Sequence, residues 1–166
     1  MNTWKISYHN FMLNGMESVD ITYNTIERLP DRDTFNKILN LYSEIFDDAD
    51  PEFFETRFNQ QPDLVSVLAY NGSHLVGFKI GYRYSSSTFY SWIGGVKHPF
   101  RNHGIATTLA IKQEEMAKWK KYAKLRTKSM NQYKAMLLLN IKRGFQITQV
   151  YTNQSGQTKI VFEKKL

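Results

Sequence analysis

The stretch Thr88-Phe89-Tyr90-Ser91-Trp92-Ile93-Gly94-Gly95-Val96-Lys97-His98-Pro99-Phe100-Arg101-Asn102-His103-Gly104-Ile105-Ala106 decides how this chain folds. Its first half, Thr88 to Val96, is β-prone and apolar and reads as a strand, which Pro99 ends because proline cannot donate to a sheet ladder. Its second half is a glycine-bearing turn that runs into a helix-like stretch starting near Ile105. A turn from strand to helix leaves backbone N–H groups unpaired at the positive end of the helix dipole, an arrangement suited to phosphate.

Upstream, Val19 to Ile26 alternates as a first strand. Phe35, Ile38, Leu39, Tyr42, Ile45 and Phe46 then form the apolar stripe of an amphipathic helix, for which Asp33 is the expected N-cap. Asp50-Pro51-Glu52 carries the start signals of a second helix, with Phe53, Phe54 and Phe58 on its buried side. Leu64 to Tyr70 and Leu75 to Tyr84 read as a hairpin turning at Asn71-Gly72, and Thr88 to Val96 extends it to a meander.

Downstream, a helix is expected from about His103 to Lys120, then a strand from Tyr122 to Thr127. Another helix spans about Gln132 to Lys142, with Ser129 and Asn131 as candidate caps. It ends at Gly144, with Phe145 packing back on Leu139 in a Schellman-type ending. Strands at Phe145 to Tyr151 and Thr158 to Phe162 close the order β-α-α-β-β-β-α-β-α-β-β. The sequence thus specifies a single mixed α/β domain over residues 1–166, without repeats or linkers.

Composition removes several chemistries. Cysteine is absent, so disulfides, thiolate metal sites and cysteine nucleophiles are excluded. The four histidines are scattered without ligand spacing, and no metal is expected. No apolar run approaches the roughly 20 residues that span a bilayer, and the first residues lack the pattern of a secretory signal. A soluble protein of the cytoplasm is expected, with no membrane partner. The net charge of +7 suits an anionic ligand. Its basic residues crowd between Lys112 and Lys142, where helical spacing makes them largely a solvated face. Nucleic acid is not expected as a partner, because no recognition motif or aromatic-basic interleaving occurs.

The glycine turn does not match the Gly-x-Gly-x-x-Gly of a dinucleotide fold, nor the Gly-Lys-Ser/Thr of a P-loop. The combination of Gly94-Gly95-Val96, Pro99, Arg101-x-x-Gly104-x-Ala106 and a later Asn131…Gly144-Phe145 resembles the GNAT superfamily of acetyl-CoA-dependent N-acetyltransferases. The resemblance implies a mixed, mostly antiparallel sheet of about seven strands flanked by about four helices. It implies acetyl-CoA as co-substrate, its pantetheine arm lying where the strand ending at Val96 splays from the next. Gly94, Val96 and Asn131 would line that path, with Gly94 and Gly95 permitting a bulge and close backbone approach. The amides of Asn102, His103, Gly104, Ile105, Ala106 and Thr107 would take the pyrophosphate, beside the cation of Arg101.

The same resemblance implies direct attack of an amine on the thioester in a ternary complex. The family's tyrosine near the sulfur falls at Asn140, which can donate a hydrogen bond but cannot give up a proton. Tyr90 or a water chain is the candidate base on the strand leading to the thioester. Glu44 and Asp47, at the end of the first helix, are candidates for attracting an ammonium acceptor. The acceptor's identity is not legible, and a homodimer stays open. Without the tyrosine, a non-catalytic acyl-CoA sensor or interaction module on the same fold is the alternative to an enzyme.

Overall fold

The computed structural model describes residues 20–166, so Val19 and the segment before it lie outside the described residues. Strand β1 (Ile21–Ile26) pairs antiparallel with β2 (Val65–Asn71), and β2 with β3 (His74–Arg83). Asn71 itself pairs with His74, so Gly72-Ser73 forms the turn rather than Asn71-Gly72. Gly72 has φ +57° while Ser73 does not have positive φ, the pattern of a two-residue hairpin turn with glycine first. Strand β4 (Thr88–Val96) completes the meander with the bounds expected from its sequence.

After a short 3-10 turn at His98–Phe100, helix α3 (Ile105–Trp119) leads to β5 (Lys124–Met130). Strand β5 starts later and runs further than the sequence suggested. Tyr122 is buried as an anchor ahead of the strand, and Lys128 to Met130 continue the ladder with β7. Helix α4 (Lys134–Lys142) and strands β6 (Gln146–Thr152) and β7 (Thr158–Lys165) finish a seven-stranded sheet of order β1-β2-β3-β4-β5-β7-β6. Every pairing is antiparallel except β4 with β5.

Helices α1 (Arg32–Ile45) and α2 (Pro51–Gln60) cover one face. There Phe35, Ile38, Leu41, Tyr42, Phe54 and Phe58 pack on Leu68, Phe78 and Ile80. Helix α3 covers the other, with Ile105, Leu109 and Ala117 against Val67, Phe89 and Leu125. The N-cap of α1 is Asp31, whose Oδ1 accepts from Thr34 N–H at 2.8 Å. Asp33 instead lies in the first turn and pairs with Lys37. At α4 neither Ser129 nor Asn131 caps: the N-cap is Tyr133, without a side-chain bond.

The far end of α4 is a Schellman ending. Gly144 N–H donates to Ile141 O and Phe145 N–H to Asn140 O, with Gly144 at φ +83°. Phe145 packs against the core cluster on the α3 side. Among the described residues no helix is long and apolar enough to cross a membrane. Much of the basic interval is paired with carboxylates: Lys118 with Glu114, Lys120 with Glu27, and Lys124 and Arg126 with Glu163.

Candidate active site

Strands β4 and β5 pair only from Thr88↔Lys124 to Ser91↔Thr127. Beyond that point β4 runs on to Val96 beside β3 alone, and β5 runs on to Met130 beside β7 alone, so the sheet opens into a V. Thr127 Oγ1 donates to Ser91 O at 2.8 Å and closes the base of the V. The opening leaves the β5-facing edge of Trp92 to Val96 without a neighbouring strand among the described residues.

A bulge sets which side chains face the two sides of this opening. Ile80 pairs with Ile93 and Gly81 with Ser91, so Trp92 is the extra residue. Before the bulge, Tyr90 packs toward α1 and α2 and Phe89 toward α3; after it, Ile93 packs toward α1 and α2 and Val96 toward α3. The expected bulge at Gly94-Gly95 is therefore displaced to Trp92, where two consecutive apolar residues can both be buried on one face. The glycines are needed for close approach instead. A Cβ on Gly94 would lie 2.9 Å from Phe78 O, and one on Gly95 would lie 3.0 Å from two carbons of Ile45 in α1. Across the opening, Tyr133 meets Phe46 edge-on at 6.4 Å.

The turn after β4 is rich in unused donors. Asn102 and Gly104 have φ of +66° and +76°, and no acceptor among the described residues takes the backbone N–H of Asn102, His103, Gly104, Ile105, Ala106 or Thr107. Gly104 is the N-cap of α3, so no cap side chain occupies these donors. Its carbonyl accepts from Thr108 N–H at 3.0 Å and Thr108 Oγ1 at 3.2 Å. His103 Nδ1 lies 2.7 Å from Arg101 O and carries the proton there. No atom of the described residues lies within 4 Å of a Cβ built on Gly104, so among them the space in front of the turn is open. The Arg101 side chain folds back, Nε donating to Val96 O at 3.0 Å, and thereby ties the turn to the end of β4.

The remaining sequence candidates separate. Asn140 is buried, 7% exposed, and faces a small cavity between the base of the V, α3 and the end of α4. Tyr90 is equally buried on the α1/α2 side, its ring 5.4 Å from that of Tyr82. Burial, then Tyr82, pushes its phenol up to about 12, which favours the proton-donating form over the base that the sequence offered. Asn131 is exposed in the loop before α4. Glu44 pairs with Lys97 at 3.0 Å and lines a groove of about 440 Å³ with Lys37, His74 and Phe100. That groove lies at the opposite end of β4 from Tyr90. Asp47 is exposed in the turn after α1. Glu44 is therefore not brought to Tyr90 or Asn140. Among the described residues no group of three or more His, Asp or Glu is placed to hold a metal ion.

Sequence reasoning passed over Lys79. It stands on β3 between Phe78 and Ile80, which pack toward α1 and α2, so its own side chain faces α3 and the cavity of Asn140. A lysine inside an apolar strand, opposite a glycine, was the available signal.

Neither a protein-family model nor a curated protein matches the sequence. Solved structures do. A GNAT family acetyltransferase from Elizabethkingia anophelis with acetyl-CoA bound superposes at TM-score 0.71 with 21% identity, covering 90% of this chain and 100% of that one. The ribosomal-protein-S18-alanine N-acetyltransferase of Escherichia coli reaches 0.74 at 10% identity, covering 88% and 94%. The NatC complex bound to Gag peptide and CoA gives a chain matching at 0.73 with 16% identity, covering 89% and 99%. At these identities the likeness is one of fold. The chain has the GNAT acetyltransferase fold, and the opened β4–β5 pair and the uncapped α3 turn are its own instances of features that the sequence led us to expect.

Proposed function

We propose that the protein is an N-acetyltransferase that moves an acetyl group from acetyl-CoA to an amine by direct attack in a ternary complex. The observation that carries this reading is the row of unpaired amides from Asn102 to Thr107 at the mouth of a β4–β5 opening. The amides and the dipole of α3 bind the pyrophosphate, with Arg101 holding the turn against Val96. The pantetheine arm follows Val96 and Gly94 along the free edge of β4, where its amides replace the missing strand. This brings the thioester to the base of the V near Ser91. The acceptor amine reaches it from the α1/α2 side, past Tyr90 and Trp92.

In this geometry catalysis is mainly positioning. The neutral Tyr90 hydroxyl accepts a hydrogen bond from the acceptor's N–H and so orients its lone pair toward the thioester, water carries away the surplus proton, and Asn140 donates to the sulfur side. The amine comes from a small molecule or a protein; of the neighbours named above, one is bound to a peptide and another is a ribosomal-protein-alanine N-acetyltransferase. The second reading, an acyl-CoA sensor without turnover, is favoured by one observation: Asn140 stands where an acid is wanted.

Melting with increasing acetyl-CoA tests both readings, because a ligand of the folded state raises the melting temperature with concentration. No rise at millimolar ligand refutes both. Gly104→Val should abolish the rise, since a branched residue resists φ +76° and its Cβ fills the open space before the turn. Thiol release with amino acids, polyamines, aminoglycosides and peptide N-termini then separates enzyme from sensor.

A further inference from the structure

The cavity that Asn140 faces has about 10 Å³ of free space, room for one water-sized group. Ser91 and Leu125 bound it at the base of the V, Gln113 of α3 and Arg143 at the end of α4 bound it from above, and Lys79 reaches it from β3. Lys79 pairs across the strands with Gly94, and a Cβ there would lie 3.2 Å from Lys79 Cγ. The absence of that Cβ gives the lysine stem room to lie over β4.

The lining is unbalanced. Gln113 is 1% exposed, and its Nε2 donates to nothing among the described residues; neither does Arg143 Nε. Arg143 spends its charge on Glu114, 2.7 Å away, whereas Lys79 has no carboxylate within 4 Å among the described residues. Side chains carrying three donors without a partner among the described residues thus line one atom-sized space, and what suits such a lining is an acceptor with negative charge.

We propose that this cavity receives the sulfur of coenzyme A and that Lys79 is the catalytic acid that protonates it, the step Asn140 cannot perform. The inference rests on the acetyl-transfer reading above. The acceptor nitrogen's lone pair forms the C–N bond, and the C–S bond breaks with its electron pair going to sulfur. Sulfur takes a proton from the Lys79 ammonium. The acylated nitrogen loses its surplus proton to water, and the neutral Lys79 amine regains one from water, so the cycle closes without any further reactant. Gln113 and Asn140 hold the thiolate while the proton moves.

The electrostatics agree with this geometry. Lys79 is half-buried, and this partial withdrawal from water, reinforced by the charge of Arg143, lowers its ammonium from the ordinary 10.5 to about 8. That lies beside the ordinary thiol value of about 8.5, where proton transfer to sulfur is nearly balanced. The charged groups on the packed elements are Arg143 at the end of α4 and, behind it, Glu114 of α3, which also holds Lys118 of α3 and Lys164 of β7; of the cavity lining, β4 and β5 supply Ser91 and Leu125.

The test is an ultraviolet titration of the thiol of bound coenzyme A, with desulfo-coenzyme A as a binding control. In the wild type the bound thiol should ionise about one pH unit or more below the free thiol, as expected beside a cation. Lys79→Met should remove that shift yet still bind desulfo-coenzyme A. Lys79→Arg should keep the shift, because it keeps the charge, but lose about 10²-fold in turnover because arginine does not release its proton. A wild-type thiol that ionises as it does in water overturns the role of Lys79, whatever the variants do. Failure of desulfo-coenzyme A to bind the wild type overturns the acetyl-transfer reading instead.

Discussion

Replacing Glu114 with glutamine should remove about 3 kcal/mol of stability at neutral pH, and the loss should vanish in acid. Glu114 is 6% exposed, and its carboxylate meets Lys118 of α3 at 2.9 Å, Arg143 at 2.7 Å and Lys164 of β7 at 2.8 Å. Burial alone would raise its pKa. The hydrogen bonds from Lys164 and Lys118, the charge of Lys164 and the bond from Arg143 outweigh it and hold the group down at about 2 rather than the ordinary 4.5. At 1.36 kcal/mol per pH unit, that difference corresponds to about 3 kcal/mol of folding free energy carried by the ionised form. A depressed carboxylate contributes fully above its unfolded value and loses the contribution as pH falls toward its folded one. The wild-type advantage over Glu114→Gln should therefore be full at pH 7, shrink below about pH 4.5 and be gone near pH 2. Glutamine also leaves three cations without their counter-charge, and about 3 kcal/mol is the lower end of the range for breaking a buried pair, about 3–5 kcal/mol. Urea denaturation of both proteins between pH 7 and pH 3 measures the gap. A gap under about 1 kcal/mol at pH 7, or one that does not narrow in acid, refutes the reasoning.

Two further substitutions test the frame of the site. Gly81→Ala would place a Cβ 2.4 Å from Phe89 Cε1 and 2.7 Å from Tyr90 O, and the backbone oxygen cannot move without disturbing the bulge at Trp92. Urea denaturation should show a loss of about 3 kcal/mol, the upper range for overpacking, and a loss under about 0.5 kcal/mol would mean the strand yields freely. Asp31→Ala should lower the melting temperature because it frees Thr34 N–H at the start of α1, while Asp33→Ala should leave it nearly unchanged. Equal effects in differential scanning calorimetry would contradict the assignment of the cap.

The order of strands and helices was legible because each element carries its own period and its own punctuation. Pro51 behind Asp50, Gly72 in the hairpin and Gly144 after α4 mark boundaries through local backbone preference, which needs no partner. The turn at Gly104 was readable for the same reason. Asp31 and Asp33 were not distinguishable, since both can cap and only the path of the chain into α1 decides which one does. The bulge at Trp92 was hidden because Trp92 and Ile93 are both apolar, and alternation cannot say which of two adjacent apolar residues is extra. Glu44 and Asp47 read alike as acidic residues at a helix end, and only the fold shows that Lys97, just after β4, pairs with Glu44.

By itself, the sequence determined what is local: the elements, the glycine turn with its unpaired amides, and through them the resemblance to an acetyltransferase. Those follow from φ preferences, side-chain periodicity and hydrogen-bonding capacity, all set within a few residues. Only the tertiary structure decided what is shared between distant segments. The opening of β4 from β5 depends on β7 holding β5. Glu114 is quenched by cations from α3, the end of α4 and β7. Lys79, Gln113, Asn140 and Arg143 meet around one small space. Charge and desolvation act through space, so a lysine that reads as an ordinary strand residue becomes, once folded, an unpaired cation at the base of the V.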